Sequence, residues 1–170
     1  LTAFVLVFLY VAVQFQWKFS VGAIAALCHD VIITLGIFAV FQWDFDLTVL
    51  AAILALIGYS INDTIVIYDR IRENFRILRK TDAYEIINVS LTQTLGRSMM
   101  TSGTTLLVLV CLFLFGGELL RGFSTALIIG ILVGTYSSTY IAAHITAALD
   151  VSKEDLMPKE KEGAELDDAP

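Results

Sequence analysis

The chain has 170 residues, 57% of them hydrophobic, and a formal net charge of −6 from 11 Lys and Arg against 17 Asp and Glu. Residues 1–68 and 98–149 hold only seven of these 28 charged side chains. These segments have too little polar surface for a soluble domain, and they are too apolar for a disordered chain. Most of the net negative charge falls in residues 150–170, and nothing in the charge balance indicates nucleic-acid binding. The class that remains is a polytopic membrane protein.

Five apolar segments are candidates for membrane-spanning helices, each of which needs about 20 mostly apolar residues. They are predicted over residues 1–15, 20–41, 47–68, 98–115 and 119–149. The predicted fold class is therefore an all-α integral membrane protein, with residues 1–150 forming one five-helix transmembrane domain. The first segment is short and follows no charged leader, which favours missing upstream sequence over a signal peptide.

The basic residues predict how these segments are oriented. When the connectors are assigned alternately to the two sides, ten of the 11 basic residues fall on one side and only Arg121 on the other. The basic side is predicted to be cytoplasmic, which puts the N-terminus of this chain outside and its C-terminus in the cytoplasm. Trp17 and Trp43 fall where the spans are expected to meet the membrane interfaces.

The longest connector, residues 69–97, has apolar residues at helical spacing with arginines between them. This pattern predicts one or two short amphipathic helices lying on the inner membrane surface, although a basic linker that only sets topology would also fit. The tail, residues 151–170, is acidic, contains both prolines and shows no apolar period. It is predicted to be disordered.

Three ionisable residues fall within or at the ends of the predicted spans: Asp30 in the second, Asp63 in the third and Arg97 at the inner end of the fourth. Charged groups at such depths are costly and are functional by default. A carboxyl group that gains and loses a proton as its surroundings change can serve as a proton relay, and this role is predicted for Asp63. Arg97 lies at a similar depth and is a possible ion-pair partner, while a permanently paired packing role for Asp63 is the alternative.

Polar neighbours support this role for Asp63. Tyr59, Ser60 and Thr64 share a broad helix face with it, and Asn62 is its direct neighbour. A polar face in a membrane helix must point at protein or water and not at lipid.

Two further hydroxyls, Thr101 and Thr104, lie in the fourth span, where they are expected to bond across helices or to hydrate a path. Ordinary hydroxyl bonding between packed helices explains them equally well. Asp30 is predicted as a second relay group, and a hydrogen bond to a neighbouring helix or to His29 is an equal alternative.

The fifth span carries small residues at steps of four, a spacing that lets another helix approach its backbone closely. This predicted packing ladder consists of Gly122, Ala126, Gly130, Gly134, Ser138 and Ala142.

Enzymatic sites are not indicated. The sequence contains no HExxH, GxSxG or Walker A pattern and no metal-ligand spacing. Asp30 and Asp63 suggest an intramembrane aspartyl protease, but the predicted spans separate their depths by about 12 Å, so this is disfavoured. No cofactor is expected apart from a coupling ion, H⁺ or Na⁺.

Several stretches resemble the SecF family of bacterial protein-export membrane subunits. The main one is residues 58–76, GYSINDTIVIYDRIRENFR, and the others are QTLGRS at 93–98, TSGTTL at 101–106, FGGELLRGFS at 115–124 and GTYSS at 134–138. Members of this family are similar to one half of the transmembrane region of resistance-nodulation-division (RND) transporters. The resemblance covers about residues 1–150 and implies that one further span and a periplasmic domain precede this chain.

The resemblance also implies a function. Such a subunit sits in the bacterial inner membrane, works with SecD, YajC and the SecYEG channel, handles secreted preproteins indirectly, and couples an ion gradient to a late step of export. The membrane aspartate of the family corresponds to Asp63 and its basic partner to Arg97. The alternatives are a scaffold for SecD without ion transport and an RND-type small-molecule exporter.

Overall fold

All regular structure in the described part of the chain is helical. The computed structural model describes residues 17–78, 83–142 and 144–145. Its elements are α1 (Trp17–Val40), α2 (Leu47–Ile77), α3 (Ala83–Phe115) and α4 (Gly117–Ser137), followed by a π-helical segment, Ser138–Ala142. The four α-helices are long and apolar enough to cross a membrane, which confirms the all-α membrane class.

These four helices correspond to the second to fifth predicted spans. The first predicted span, over residues 1–15, lies outside the described residues, and so does the tail, residues 151–170. The described residues therefore give four spans, where five were predicted for the whole chain.

The prediction of separate surface helices in the connector is wrong. Residues 69–77 continue α2 without a break, and residues 83–97 are the first part of α3. The apolar stripe was real, but it packs inward: Ile71 and Phe75 of α2 are buried against Ile86 and Ile87 of α3. Burial against a neighbouring helix and burial in a membrane surface produce the same periodic pattern, so the sequence did not distinguish them.

Local chemistry sets the start of α2. Asp46 caps the helix, because its side chain accepts hydrogen bonds from the backbone N–H groups of Thr48 and Val49, both at 2.9 Å. The N–H of Val49 and the hydroxyl of Thr48 hold the pKa of Asp46 below its ordinary value of 3.8. The connector before it, residues 41–46, is exposed.

A glycine pair makes the turn between α3 and α4. Gly117 has a φ of 72°, a conformation that side chains with a Cβ rarely adopt. A Cβ on Gly116 would overlap the backbone oxygen of Leu112. The pair therefore allows α3 to reverse into α4 with almost no connecting loop.

α4 lies at the centre of the described bundle, since it packs against α1, α2 and α3. The predicted packing ladder faces these neighbours: Ala126 is 1% exposed, and a Cβ on Gly130 would overlap the side chain of Leu56. A Cβ on Gly122 would lie 3.0 Å from Val49. The ladder thus packs within the chain, with Gly122 and Gly130 against α2.

Candidate functional site

The carboxylate of Asp63 lies where three elements meet. Asp63 is on α2 and is 9% exposed. Its Oδ1 accepts a hydrogen bond from Ser98 Oγ of α3 at 2.6 Å, and its Oδ2 accepts one from Ser138 Oγ at 2.9 Å. Ser138 is the first residue of the π-helical segment. Two neutral hydroxyls therefore hold the carboxylate, and it forms no ion pair with the described residues.

Arg97 does not pair with Asp63 in this structure. Arg97 directly precedes Ser98, and successive residues of an α-helix point about 100° apart. Because Ser98 faces Asp63, Arg97 is turned away and is exposed. It lines a polar cavity of about 550 Å³ together with Asp69 and Glu73.

The carboxylate of Asp30 lies in the same region of the bundle. Asp30 is fully buried on α1, and its Oδ2 accepts a hydrogen bond from Ser60 Oγ at 2.7 Å. Its Oδ1 is 3.3 Å from His29 Nδ1. α4 approaches closely, since a Cβ on Gly134 would lie 3.3 Å from Asp30 Oδ2.

The estimated difference in depth between Asp30 and Asp63 was too large. Ser60, which bonds Asp30, precedes Asp63 by three residues, or about 4.5 Å along α2. The estimate failed because α2 runs on to Ile77, so the midpoint taken for the third span lay too far toward its outer end. The two carboxylates nevertheless bond to different hydroxyls and do not share a hydrogen bond, an arrangement unlike an aspartyl protease dyad.

Besides Ser60, two more of the predicted polar neighbours of Asp63 bond within this region. Tyr59 donates to Ser102 Oγ across the α2–α3 interface at 3.3 Å, and Ser102 is in turn 2.7 Å from Thr135 Oγ1 of α4. Thr64 is buried and donates to the backbone oxygen of Ser60 at 3.0 Å. Hydroxyls thus connect α2, α3 and α4 on the same side of the bundle.

The other predicted polar residues do not join this region. Thr101 and Thr104 are exposed on α3, and each donates to a backbone oxygen of its own helix. Asn62 is exposed and has no hydrogen-bond partner among the described residues.

α3 carries a ladder of buried hydroxyls that was not predicted from the sequence. Four buried residues at steps of four face the neighbouring helices: Ser90, Thr94, Ser98 and Ser102. Ser90 accepts from Asn74 Nδ2 of α2 at 2.8 Å, so the ladder extends from the inner end of the α2–α3 pair to the level of Tyr59. The spacing of four was the signal, as it was for the small residues of the fifth span.

The helix changes from α-helical to π-helical geometry at Ser138, the residue that bonds Asp63. α-Helical geometry ends at Ser137, and Ser138–Ala142 forms a π-helix. Single π-helical turns within α-helices are frequent at functional sites. A buried carboxylate held by movable hydroxyls can take up and release a proton, because each hydroxyl can act as donor or acceptor.

The sequence of this chain matches a known protein family and is similar to several known proteins. The family described as protein export membrane protein SecD/SecF, C-terminal, matches residues 1–152. A protein translocase subunit SecF from Vibrio alginolyticus is 52% identical over 100% of this chain and 55% of its own length. One from Pseudomonas aeruginosa is 54% identical over 96% of this chain and 53% of its own length.

The chain thus spans about half the length of these relatives, which are named as translocase subunits and not as enzymes. Solved structures agree. A crystal structure of SecDF in a super-membrane-facing form is 46% identical, with a TM-score of 0.83 over 86% of this chain and 20% of its own. A translocon-associated SecDF from Thermus thermophilus gives a TM-score of 0.81 at 46% identity, over 84% of this chain and 20% of its own.

Proposed function

Because the chain belongs to the SecD/SecF C-terminal family of protein-export membrane proteins, we propose that it is the membrane-embedded part of a SecF-type subunit that couples a proton gradient to protein export. The observation that carries the proposal is the position of Asp63. This carboxylate lies within a membrane span, between three helical elements, and among the described residues it is held by hydroxyls alone.

Protonation of Asp63 changes which bonds hold the bundle together. The ionised carboxylate accepts from both Ser98 and Ser138, and so it draws α3 and the π-helical segment toward α2. A protonated carboxyl group is itself a donor at one oxygen, so one of these hydroxyls must turn away or become an acceptor. Proton uptake is in this way converted into a change of helix contacts, which is the requirement for driving movement with a gradient.

In this proposal, the bundle has a second arrangement in which Arg97 faces Asp63. Ser98 and Arg97 are successive residues of α3, so a rotation of that helix by about 100° exchanges one for the other in front of Asp63. The ionised carboxylate is then stabilised by a guanidinium in place of hydroxyls. The polar cavity around Arg97, with Asp69 and Glu73, gives protons a route to the inner side.

SecD is the partner proposed for the exposed face of α2. Four small or polar residues at helix-contact spacing lie on that face and are exposed: Ala51, Ala55, Gly58 and Asn62. Asn62 lies in a predicted span without a partner among the described residues, and an unpaired amide is costly in lipid. A second transmembrane unit packed along this stripe removes that cost.

The wider assembly follows from the family. The subunit is proposed to act in the bacterial inner membrane beside SecYEG and YajC, to handle secreted preproteins indirectly, and to have a cytoplasmic C-terminus. The coupling ion is proposed to be H⁺, with Na⁺ as the alternative for the same carboxylate.

The test is Asp63→Asn in the full-length subunit, assembled with SecD in membrane vesicles. Asparagine keeps the shape and the acceptor oxygen but cannot ionise, so gradient-dependent export is expected to be lost while assembly with SecD persists. Asp44→Asn is the matched control, because this acid lies in the exposed connector before α2.

Normal gradient-dependent export by Asp63→Asn would contradict the proposal and favour the scaffold alternative. Imposing a Na⁺ gradient in place of the proton gradient identifies the ion. Loss of small-molecule efflux in place of protein export would favour the RND-type exporter.

A further inference from the structure

His29 and Asp30 form a buried pair that the proposed role of Asp63 does not use. The Asp30 side chain is 1% exposed and the His29 side chain 31%, so the carboxylate is inside the bundle and the imidazole reaches its surface. Among the described residues, the side-chain groups that bond this carboxylate are Ser60 Oγ at 2.7 Å and His29 Nδ1 at 3.3 Å. Thr34 bonds only the backbone oxygen of Asp30.

The pair is electrically neutral only when it holds one proton. With the proton on Asp30, a neutral acid faces a neutral imidazole. With the proton on His29, a carboxylate faces an imidazolium. Removal of that proton leaves an uncompensated negative charge inside the bundle, which is costly within a membrane. Transfer of that proton requires an acceptor nearby.

The acceptor is indicated by the groups that face Asp30. α2 presents Ser60, α4 presents Gly134, which has no side chain to ionise, and α1 itself presents His29. The next acidic side chain along α2 from Ser60 is Asp63, three residues on, while Tyr59, directly before Ser60, donates its hydroxyl to Ser102 of α3. The same step occurs from α4 into the π-helical segment, where Gly134 faces Asp30 and Ser138, four residues on, bonds Asp63.

We infer that His29 and Asp30 are a second proton-binding site, which passes its proton to Asp63 through the hydroxyl of Ser60. In this structure the Ser60 hydroxyl donates to Asp30 Oδ2. For the transfer it turns toward Asp63, its oxygen accepts the proton of Asp30 and its own proton goes to Asp63, so one proton leaves the first carboxyl group and one arrives at the second. This inference rests on the proposed role of Asp63 and adds a loading site to it. His29 links the site to the surface of the bundle.

The experiment is infrared difference spectroscopy of the full-length subunit with SecD, recorded as a function of pH in H₂O and D₂O. Two protonated carboxyl bands are expected, one removed by Asp63→Asn and the other by Asp30→Asn. His29→Gln, a milder change that keeps Asp30, is expected to shift the pH midpoint of the Asp30 band without removing it.

Export assays test the transfer step. Ser60→Ala is expected to keep both infrared bands but to lower the rate of gradient-driven export by about tenfold, because the connecting hydroxyl is gone. Thr34→Val is the matched control: it also removes a buried hydroxyl beside Asp30, but one that bonds only the backbone. Its export rate is expected to stay close to that of the unmodified protein.

Three outcomes would overturn the inference: an Asp30 band that does not titrate, normal export by Asp30→Asn, or equal loss in Ser60→Ala and Thr34→Val. These differ from failure of the proposed function, which would appear as normal export by Asp63→Asn. Loss of export in Asp63→Asn together with normal export in Asp30→Asn would contradict the second proton-binding site and leave the proposed role of Asp63 standing.

Discussion

Among the described residues, serine hydroxyls bond both buried carboxylates of this bundle, and no arginine or lysine bonds either of them. Asp63 is held by Ser98 and Ser138, and Asp30 by Ser60 with help from His29. A fixed arginine would keep a carboxylate ionised, whereas a hydroxyl can serve either protonation state by turning around. The choice of serine is therefore consistent with a group that must change its charge.

The two serines that bond Asp63 are expected to contribute to stability as well as to function. Ser98→Ala and Ser138→Ala should each lower the free energy of unfolding by about 1 kcal/mol, the size of an interhelical hydrogen bond in a membrane. Thermal unfolding in detergent micelles, followed by tryptophan fluorescence, measures this loss. Thr101→Ala is the control, since its exposed hydroxyl bonds only its own helix, at Arg97 and Ser98 backbone oxygens. A loss in Thr101→Ala as large as in the two serine variants would contradict the assignment.

At the residue scale, the sequence predicted the costly groups but not their partners. Asp30 and Asp63 were identifiable because a carboxyl group within an apolar span is rare. Ser98 was not, because α3 contains hydroxyls on several sides and only its rotation about its axis decides which one faces Asp63. The same rotation explains why Thr101 and Thr104 bond their own helix and not a neighbouring one, and why Arg97 does not face Asp63 in this structure.

α2 carries three features along its length. Asp46 caps its first turn, Ser60 and Asp63 hold the two carboxylate sites, and Phe75, near its C-terminal end, packs against the first part of α3. A movement of this helix therefore reaches all three levels. The sequence predicted the span but ended it at residue 68, because the polar residues that follow looked like a surface loop.

The first turn of α2 is expected to be sensitive to acid. The pKa of Asp46 is lowered by its bonds to Val49 and Thr48, so the cap stabilises the helix above the ordinary pKa of 3.8 and is lost as the pH falls through the lowered value. Amide hydrogen exchange at Thr48 and Val49 should accelerate over that range. Asp46→Asn keeps a capping oxygen that does not titrate, and it should remove the pH dependence of this exchange.

The contrary result for this cap would be acid-dependent exchange that survives in Asp46→Asn. Asp44→Asn serves as the control, because the backbone N–H bonds at this helix start go to Asp46. It should leave the pH dependence unchanged.

At the scale of the whole molecule, the bundle is incomplete as a membrane unit. Only 17% of the apolar window of α3 is buried, against 44% for α2. α2, although better buried, still exposes Asn62 without a partner among the described residues. The composition predicted the membrane class, and the apolar runs predicted the four spans that the structure describes. Which faces remain open depends on helix packing and on the half of the relatives that this chain does not cover.

Crosslinking tests whether the open face of α2 is the contact with SecD. Gly58→Cys is suited to this, because a Cβ there meets nothing within 4 Å and the position lies one turn from Asn62. In the assembled complex, it should form a disulfide with a cysteine placed in a transmembrane helix of SecD, seen as a larger species on a non-reducing gel. Leu132→Cys on α4 is the control, since Leu132 is 57% exposed but apolar and is suited to lipid. Equal crosslinking from both positions, or crosslinking only between two copies of this chain, would assign the stripe to another neighbour and leave the unpaired amide of Asn62 to a partner other than SecD.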